Sequence, residues 1–176
     1  MIPYFAVFLT LLVGASLLIS AALTGVPTLS SGRSEVDDIV ALLEHAKLPQ
    51  PALIVDLGSG WGALVVALAR AFPDATVQGV EISFFPYLVS RLRRRHLPNV
   101  SLKWGNFIHS DLGNTDAIVC YLMPGAMAKL DDFFDIALEP GTVIVNIFQF
   151  RQRRASAVRR PGLRGTVALY IWPGHQ

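Results

Sequence analysis

A glycine-rich turn is the stretch of this sequence best suited to bind a ligand. Residues 55–62 read Val-Asp-Leu-Gly-Ser-Gly-Trp-Gly. An apolar run over 52–57, typical of a buried parallel strand, precedes the glycines, and residues 63–72 follow with helical spacing. Glycines at alternate positions allow a tight turn and let a ligand approach the backbone. Free N–H groups at the start of the helix favour a carboxylate or a phosphate.

The acid before the first glycine separates two classes of ligand. Gly58, Gly60 and Ala63 fit the dinucleotide pattern G-x-G-x-x-[G/A], which is unspecific by itself. Asp56 adds a carboxylate at the tip of the strand, where it would repel a pyrophosphate and attract a ligand that carries an ammonium and a sulfonium. Asp56 therefore favours a cationic methyl donor, while a nucleotide oxidoreductase and a non-catalytic nucleotide-binding domain stay open as alternatives.

Residues 56–62, Asp-Leu-Gly-Ser-Gly-Trp-Gly, resemble the first motif of class I S-adenosylmethionine-dependent methyltransferases. The resemblance implies an α/β fold, a Rossmann-like class I methyltransferase sheet with helices on both faces. It also implies S-adenosylmethionine as the cofactor, and no metal is predicted. The residues that it assigns to cofactor binding in this turn are Asp56, Gly58, Ser59, Gly60 and Gly62.

Two later strand ends complete the predicted cofactor site. Glu81 ends an apolar strand over 76–81 and lies 19 residues after the last glycine of the turn. At this distance a βαβ unit brings a carboxylate to ribose hydroxyls. A third strand, over 100–104, leads into Asn106 and Phe107. By resemblance to class I enzymes these two residues border the adenine, where an amide can bond an exocyclic amine and a ring offers a flat apolar surface.

The methyl acceptor is predicted at the tip of a fourth strand, over 116–121. The tip reads Tyr-Leu-Met-Pro over 121–124. Methylases of amino-adenine and of glutamine commonly carry an [Asn/Asp]-Pro-Pro-aromatic motif at this point, and this chain does not. We therefore expect a different acceptor, with Tyr121 and Pro124 as the candidate catalytic residues lining its pocket, and we assign no general base.

A narrower resemblance extends over most of the chain. It is carried by an uncharged N-terminal segment, a Pro-Thr connector, DLGSG, a strand ending in Glu, a strand-tip Met-Pro, Lys129-Leu130 and Leu-Glu-Pro-Gly over 138–141. Together these features resemble the membrane-anchored protein-lysine methyltransferases that modify the adenine nucleotide translocase and the ATP synthase c-subunit, with their prokaryotic relatives. The chain departs from that family's usual pattern at 61–63 and at 83–86. The resemblance implies a protein-lysine N-methyltransferase that acts on a membrane protein.

The first 25 residues differ from the rest in composition, because residues 2–25 carry no charged side chain. A helix of about 23 residues is about 35 Å long, enough to cross a hydrocarbon core of about 30 Å. We predict a transmembrane anchor over 1–25, a Pro/Ser/Thr/Gly-rich linker over 26–33 and a methyltransferase domain over 34–176. One alternative is a cleaved signal peptide, which usually has a basic start that this sequence lacks, and the other is a soluble hydrophobic helix. Arg33 favours a single-pass arrangement with the domain on the cytoplasmic side of the membrane.

The net charge of the chain is small, but its arginines are clustered. The formal charge is +2 over 176 residues, so strong attraction to nucleic acid is not expected. Four arginines end a predicted helix over 83–95, and six lie in a predicted loop over 151–164. The loop has few aromatic residues for stacking, which argues against nucleic acid. Beside a membrane anchor, anionic lipid or an acidic protein is the expected partner of the loop, while the helix arginines fit lipid contact or a solvated helix end.

Two alternatives stay open for the reaction itself. A methyltransferase for a lipid-soluble small molecule, such as a quinone or a lipid, would also need a membrane anchor. A scaffold that binds the cofactor without turnover is the second, since Trp61 could crowd the carboxylate end of the cofactor. The single cysteine, Cys120, excludes an internal disulfide and fits a reducing compartment.

Overall fold

The computed structural model describes residues 2–24, 33–121, 127–147, 150, 153–162 and 165–173. Its helices are α1 (Ile2–Thr24), α2 (Arg33–Ala46), α3 (Ala63–Ala71), α4 (Phe84–Arg93) and α5 (Met127–Ala137). Its strands are β1 (Leu53–Leu57), β2 (Thr76–Glu81), β3 (Val100–Trp104), β4 (Ala117–Cys120), β5 (Val143–Asn146), β6 (Ala157–Gly162) and β7 (Gly165–Ile171). A short 3-10 helix, Phe107–His109, follows β3.

The strands form one mixed sheet in the order β3-β2-β1-β4-β5-β7-β6. The first five strands pair in parallel, and β7 pairs antiparallel with both β5 and β6. The strand order reverses at β1, which lies between β2 and β4. In open α/β sheets, ligands bind outside the carboxyl ends of the strands at such a reversal. The predicted Rossmann-like α/β fold is confirmed, and the glycine-rich turn follows the strand at which the order reverses.

Alternate residues of the parallel strands face two separate hydrophobic cores, as the two-residue period of a strand requires. Ile54 belongs to the core that includes Leu43 of α2 and Leu68 of α3. The next residue, Val55, belongs to the core that includes Phe134 of α5. Helices therefore cover both faces of the sheet, and the central strands β4 and β5 are fully buried between them.

Two elements of the structure, α5 and β6, were not predicted from the sequence. Residues 151–164 read as an arginine-rich loop, yet β6 forms an edge strand within them and pairs with β7. The pairing shifts register between Val158 and Pro161, at a proline that lacks the N–H needed for a regular ladder. Arg159 is exposed on this edge, where a charged side chain discourages pairing with another chain.

The N-terminal segment forms the predicted helix, α1, which contacts α4. Within the described ranges, no helix reaches the length and hydropathy of a membrane span. The transmembrane anchor over 1–25 therefore stays a prediction. The predicted linker over 26–33 lies outside the described residues except for Arg33, where α2 begins.

Arg153 ties the segment between β5 and β6 to α5. Its Nε atom donates to Asp131, and its terminal nitrogen donates to both carboxylate oxygens of Asp135 at 2.7 and 2.8 Å. Its guanidinium carbon also lies 3.7 Å from the ring centroid of the buried Trp172. From the sequence we predicted that Arg153 belongs to an exposed loop that contacts anionic lipid or an acidic protein. The structure instead pairs its charge within the fold.

Replacing Arg153 by alanine should destabilise the protein, because two carboxylates and an indole face lose their cationic partner. We expect the free energy of unfolding, measured by urea denaturation, to fall by about 2 kcal/mol, the range for hydrogen bonds to charged groups. Arg154→Ala is the matched control, since Arg154 is the exposed neighbour and should change stability by less than about 0.5 kcal/mol. Equal losses in the two variants would contradict this role of Arg153.

Candidate active site

The glycine-rich turn joins β1 to α3 and is held against the tip of β2. Gly58, Gly60 and Gly62 have φ angles of 76°, 52° and 78°, in the left-handed region that favours glycine. The amides of Gly58 and Ser59 donate to the carbonyl oxygen of Val80 at 2.9 and 3.0 Å. The turn is thereby fixed at the carboxyl end of the sheet, where the strand order reverses.

Gly62 also lets α4 approach the turn closely. A Cβ atom at this position would lie 2.3 Å from Ser90 Oγ and 3.0 Å from Ser90 Cα. Its amide donates to the carbonyl oxygen of Ser59 at 2.9 Å, which closes the turn. Arg93, at the end of α4, donates to the carbonyl oxygen of Trp61 at 3.0 Å. The turn is therefore supported by α4 at two points as well as by β2.

Glu81 connects the glycine-rich turn to the start of α4. Its buried carboxylate accepts from the Gly60 amide at 2.7 Å through one oxygen and from the Ser83 amide at 2.6 Å through the other. Its carbonyl oxygen accepts from the Gly105 amide at 2.9 Å. An ionised carboxylate offers about four acceptor positions, so it can also accept from ribose hydroxyls, the role that the sequence predicts for Glu81.

Asp56 lies at the end of β1 with 1% of its surface exposed. Burial, and then the negative charge of Glu81, raise the pKa of Asp56 from 3.8 to about 8. The sequence predicted a carboxylate at this strand tip. In the structure the protonated form dominates at neutral pH until a cation binds, because a second buried negative charge beside Glu81 is unfavourable. A cationic ligand would favour the carboxylate and lower the pKa of Asp56.

Several buried polar atoms near the turn have no hydrogen-bond partner within the described part of the chain. They include Asp56 Oδ2, Ser59 Oγ and Ser83 Oγ. A buried polar atom without a partner costs about 1–3 kcal/mol, so such atoms indicate where a ligand or a water molecule binds. All three belong to the turn, to the strand before it or to the residues after Glu81, which favours a polar ligand at this end of the sheet.

The predicted adenine-binding residues follow β3. Asn106 Oδ1 accepts from the amide of Ile108 at 3.1 Å and so caps the short 3-10 helix. A carbonyl oxygen has two lone pairs, and one remains for an exocyclic amine. Phe107 is half-buried, with its ring centroid 6.4 Å from that of Phe133. Both residues lie at the carboxyl end of the sheet, and their contact with adenine stays a prediction.

Two exposed aromatic residues in this region were not predicted as functional. Trp104 is 59% exposed and Phe84 is 41% exposed, and their ring centroids lie 5.2 Å apart. The indole nitrogen of Trp104 donates to the carbonyl oxygen of Ile82, the residue after Glu81, at 2.9 Å. Their positions at a strand end and a helix start can be read from the sequence, but their exposure depends on the packing of α4 against β3.

The predicted acceptor side is at the tip of β4, which pairs with β5. Tyr121, directly after β4, is half-buried, whereas Pro124 lies outside the described residues. Asn146, at the end of β5, is fully buried and pairs in register with Cys120. Asn146 was not predicted as a site residue, although a polar residue that ends the apolar run over 143–146 was an available signal. Tyr121 and Asn146 thus lie at the tips of neighbouring strands, and β4 pairs with β1, which leads into the glycine-rich turn.

Replacing Glu81 by alanine should weaken binding of S-adenosylmethionine by at least about 100-fold, because two backbone amides and the ribose lose their acceptor. Titration calorimetry gives the affinity, and circular dichroism checks that the variant is folded. Glu139→Ala is the control, since Glu139 is an exposed acid after α5 and should bind like the parent. A folded Glu81→Ala variant with parental affinity would remove Glu81 from the site.

Affinity for the cofactor should rise with pH, because Asp56 must lose its proton to face a cation. With a pKa of about 8 before binding, the dissociation constant should fall by up to about tenfold between pH 6 and pH 7. Calorimetry at both pH values measures this change. Asp56→Asn has the same shape and no titration, so its affinity should be weaker and flat over this range. An equal pH dependence in both proteins would assign the titration to another group.

Comparison with known proteins identifies methyltransferases as relatives of this chain. The sequence profile of the ANTKMT methyltransferase domain matches residues 56–157, more than half of the chain. A protein-lysine N-methyltransferase of Saccharolobus islandicus is 26% identical over 148 residues, covering 77% of this chain and 88% of that protein. A release factor glutamine methyltransferase of Moorella thermoacetica is 29% identical over 157 residues, covering 82% of this chain. The match spans 55% of that second relative's length.

Solved structures show the same fold. An RNA methyltransferase from Salinibacter ruber, in complex with S-adenosyl-L-homocysteine, superposes with a TM-score of 0.74 at 24% identity, over 84% of this chain and 96% of that one. A precorrin-6y C5,15-methyltransferase from Geobacter metallireducens superposes with a TM-score of 0.64 at 14% identity, over 83% and 91% of the two chains. Identities this low carry the fold and leave the methyl acceptor open. The chain belongs to the ANTKMT methyltransferase domain family and is a class I methyltransferase that uses S-adenosylmethionine as its cofactor.

Proposed function

We propose that this methyltransferase modifies a lysine side chain of a membrane protein. The observation that carries the choice of lysine is the similarity to the Saccharolobus islandicus protein-lysine N-methyltransferase, which extends over 88% of that protein. The tip of β4 supports the same choice. Tyr-Leu-Met-Pro over 121–124 lacks the Asx-Pro-Pro-aromatic motif common in glutamine and amino-adenine methylases. Glutamine, the acceptor named for the Moorella thermoacetica relative, is therefore a weaker fit.

The carboxyl ends of the first three strands can hold the cofactor. The start of α3 offers backbone N–H groups to the carboxylate of its amino-acid end, and Asp56 faces its positive charges. Glu81 can accept from the ribose hydroxyls, while Asn106 and Phe107 border the adenine. When bound, S-adenosylmethionine supplies a methyl group already activated by its sulfonium.

On the acceptor side, the main task of the protein is to present a neutral amine in line with the methyl group. An ammonium has no lone pair, so the lysine must first lose a proton, and apolar surroundings lower its pKa. Tyr121, which packs against the hydrophobic core that includes Val119 and Val145, would provide part of such surroundings. The ammonium would release its proton to water before it enters the pocket, and the neutral amine would then accept the methyl group that the bound cofactor supplies. Positioning and exclusion of water are therefore the expected contributions to rate.

The membrane part of the proposal depends on α1. Its sequence carries no charged side chain, and Tyr4 is 81% exposed, with Phe5 and Phe8 also exposed. Exposed apolar surface of this kind marks an interaction site. The hydrocarbon region of a bilayer would cover it. We propose that α1 associates with the membrane and holds the domain on the cytoplasmic side, close to substrates in the same bilayer.

Labelled methyl groups should appear on lysine in a membrane protein. The full-length enzyme is incubated with methyl-labelled S-adenosylmethionine and with the membrane and soluble fractions of the source cells, and labelled proteins are hydrolysed to amino acids. We expect labelled methyl-lysine from the membrane fraction and none with the Glu81→Ala variant. Label on glutamine, in nucleic acid or in the lipid extract would overturn the choice of acceptor, and methyl-lysine confined to soluble proteins would overturn the choice of a membrane substrate.

A further inference from the structure

The outward side of α4 carries exposed apolar side chains next to β3. Leu92 is 66% exposed, and Phe84 forms the exposed aromatic pair with Trp104 described above. Single exposed apolar residues are ordinary on a protein surface, whereas neighbouring ones that contact each other mark an interaction site. This part of the surface therefore needs a partner.

Helical spacing places an arginine on the same side as the aromatic pair. Arg91 follows Phe84 by seven residues, and seven steps of about 100° return to within about 20° of the same direction. Its guanidinium carbon lies 5.9 Å from the ring centroid of Tyr87. Pro86 and Ser90, on the other side of the helix, are buried. The outward side of α4 is therefore both aromatic and cationic.

The arginines at the end of α4 divide into two groups. Arg93 and Arg94 donate to backbone carbonyl oxygens and so support the fold. Arg91 and Arg95 are exposed, and neither forms a salt bridge to an acidic residue in the described part of the chain. These two charges are thus available to a partner that carries negative charge.

Exposed aromatic rings next to arginines match the chemistry of a bilayer surface. Tryptophan and tyrosine concentrate at the level of the lipid headgroups, and arginine is attracted to anionic lipid phosphates. The helix α1, which also has exposed apolar side chains, contacts α4. A nucleic acid would satisfy the arginines but would leave the apolar side chains of Leu92 and α1 in water.

We propose that an anionic lipid bilayer docks on a surface that we call the α4 face, formed by Phe84, Arg91, Leu92, Arg95 and Trp104. Phe84 and Trp104 adjoin the residues directly after Glu81, so one end of the α4 face lies beside the carboxyl end of the sheet. Docking would therefore bring the candidate site close to the membrane–water interface. The docking itself does not depend on which side chain is methylated.

The full-length chain tests this proposal by its partition between water and lipid vesicles. Vesicles of phosphatidylcholine are compared with vesicles that also contain anionic phosphatidylglycerol, and bound protein is separated by flotation. Because α1 carries no charged side chain, its contribution is the same in both, and the gain from anionic lipid reports the arginines. In the double variant Arg91→Gln/Arg95→Gln, the ratio of binding to anionic over neutral vesicles should fall by about 30-fold. This corresponds to about 1 kcal/mol for each arginine.

A matched control removes two exposed charges elsewhere, as Lys47→Asn/Arg70→Gln. Asparagine tolerates the positive φ of 53° at position 47. This control should keep the gain from anionic lipid, and Trp104 should show a blue-shifted emission on anionic vesicles that Trp104→Phe abolishes. An equal loss in both double variants would show attraction by net charge alone, and an unchanged gain in Arg91→Gln/Arg95→Gln would assign binding to another surface. Either result overturns the proposal without bearing on methyl transfer to lysine.

Discussion

The rest of the candidate site depends on the hydrogen bonds that Glu81 accepts, two of them through its buried carboxylate. It binds the amides of Gly60 and Ser83, and its own carbonyl oxygen binds the amide of Gly105. These three partners follow β1, β2 and β3, so one residue holds three loops at fixed separations. Since every partner is a backbone amide, the shape of the site is set by the chain path and depends little on side-chain rotamers.

Two acidic residues, Asp56 and Glu81, lie buried at neighbouring strand tips. They differ in their hydrogen-bond partners. Glu81 has backbone N–H donors on both oxygens, whereas Asp56 Oδ2 has no partner in the described chain. Asp56 therefore holds the proton, with its pKa raised to about 8. Its folded-state pKa exceeds the unfolded value of 3.8, so its contribution to stability falls as the pH rises from about 4 toward 8. A bound cation would lower the pKa of Asp56 and reduce this loss of stability. Ligand binding and folding stability would thereby be linked through the carboxyl group of Asp56.

Much of the sheet could be predicted because most of its parallel strands are apolar runs, and β1, β2 and β3 end in an acidic residue or directly before a glycine. For β2 and β3 the predicted and observed limits are identical. The spacing that predicts α5 was also present, since its apolar residues from Leu130 recur at three- and four-residue steps. The strand β6 is different, because its arginines read as a loop and only pairing with β7 makes it a strand. The local sequence pattern also could not predict the ion pair between Arg153 and Asp131 or the raised pKa of Asp56. Both depend on tertiary packing.

The helix α4 contacts the glycine-rich turn on one side and is exposed on the other. Ser90 lies against Gly62, where no side chain would fit, and Arg93 holds the carbonyl oxygen of Trp61. Both contacts reach the glycine-rich turn from the same helix whose opposite side exposes Phe84 and Arg91. A displacement of α4 would therefore be transmitted to the turn, because the close contact at Gly62 leaves no space to absorb it. Any partner that binds the outward side of α4 acts on a helix that directly supports the glycine-rich turn, the predicted cofactor-binding segment.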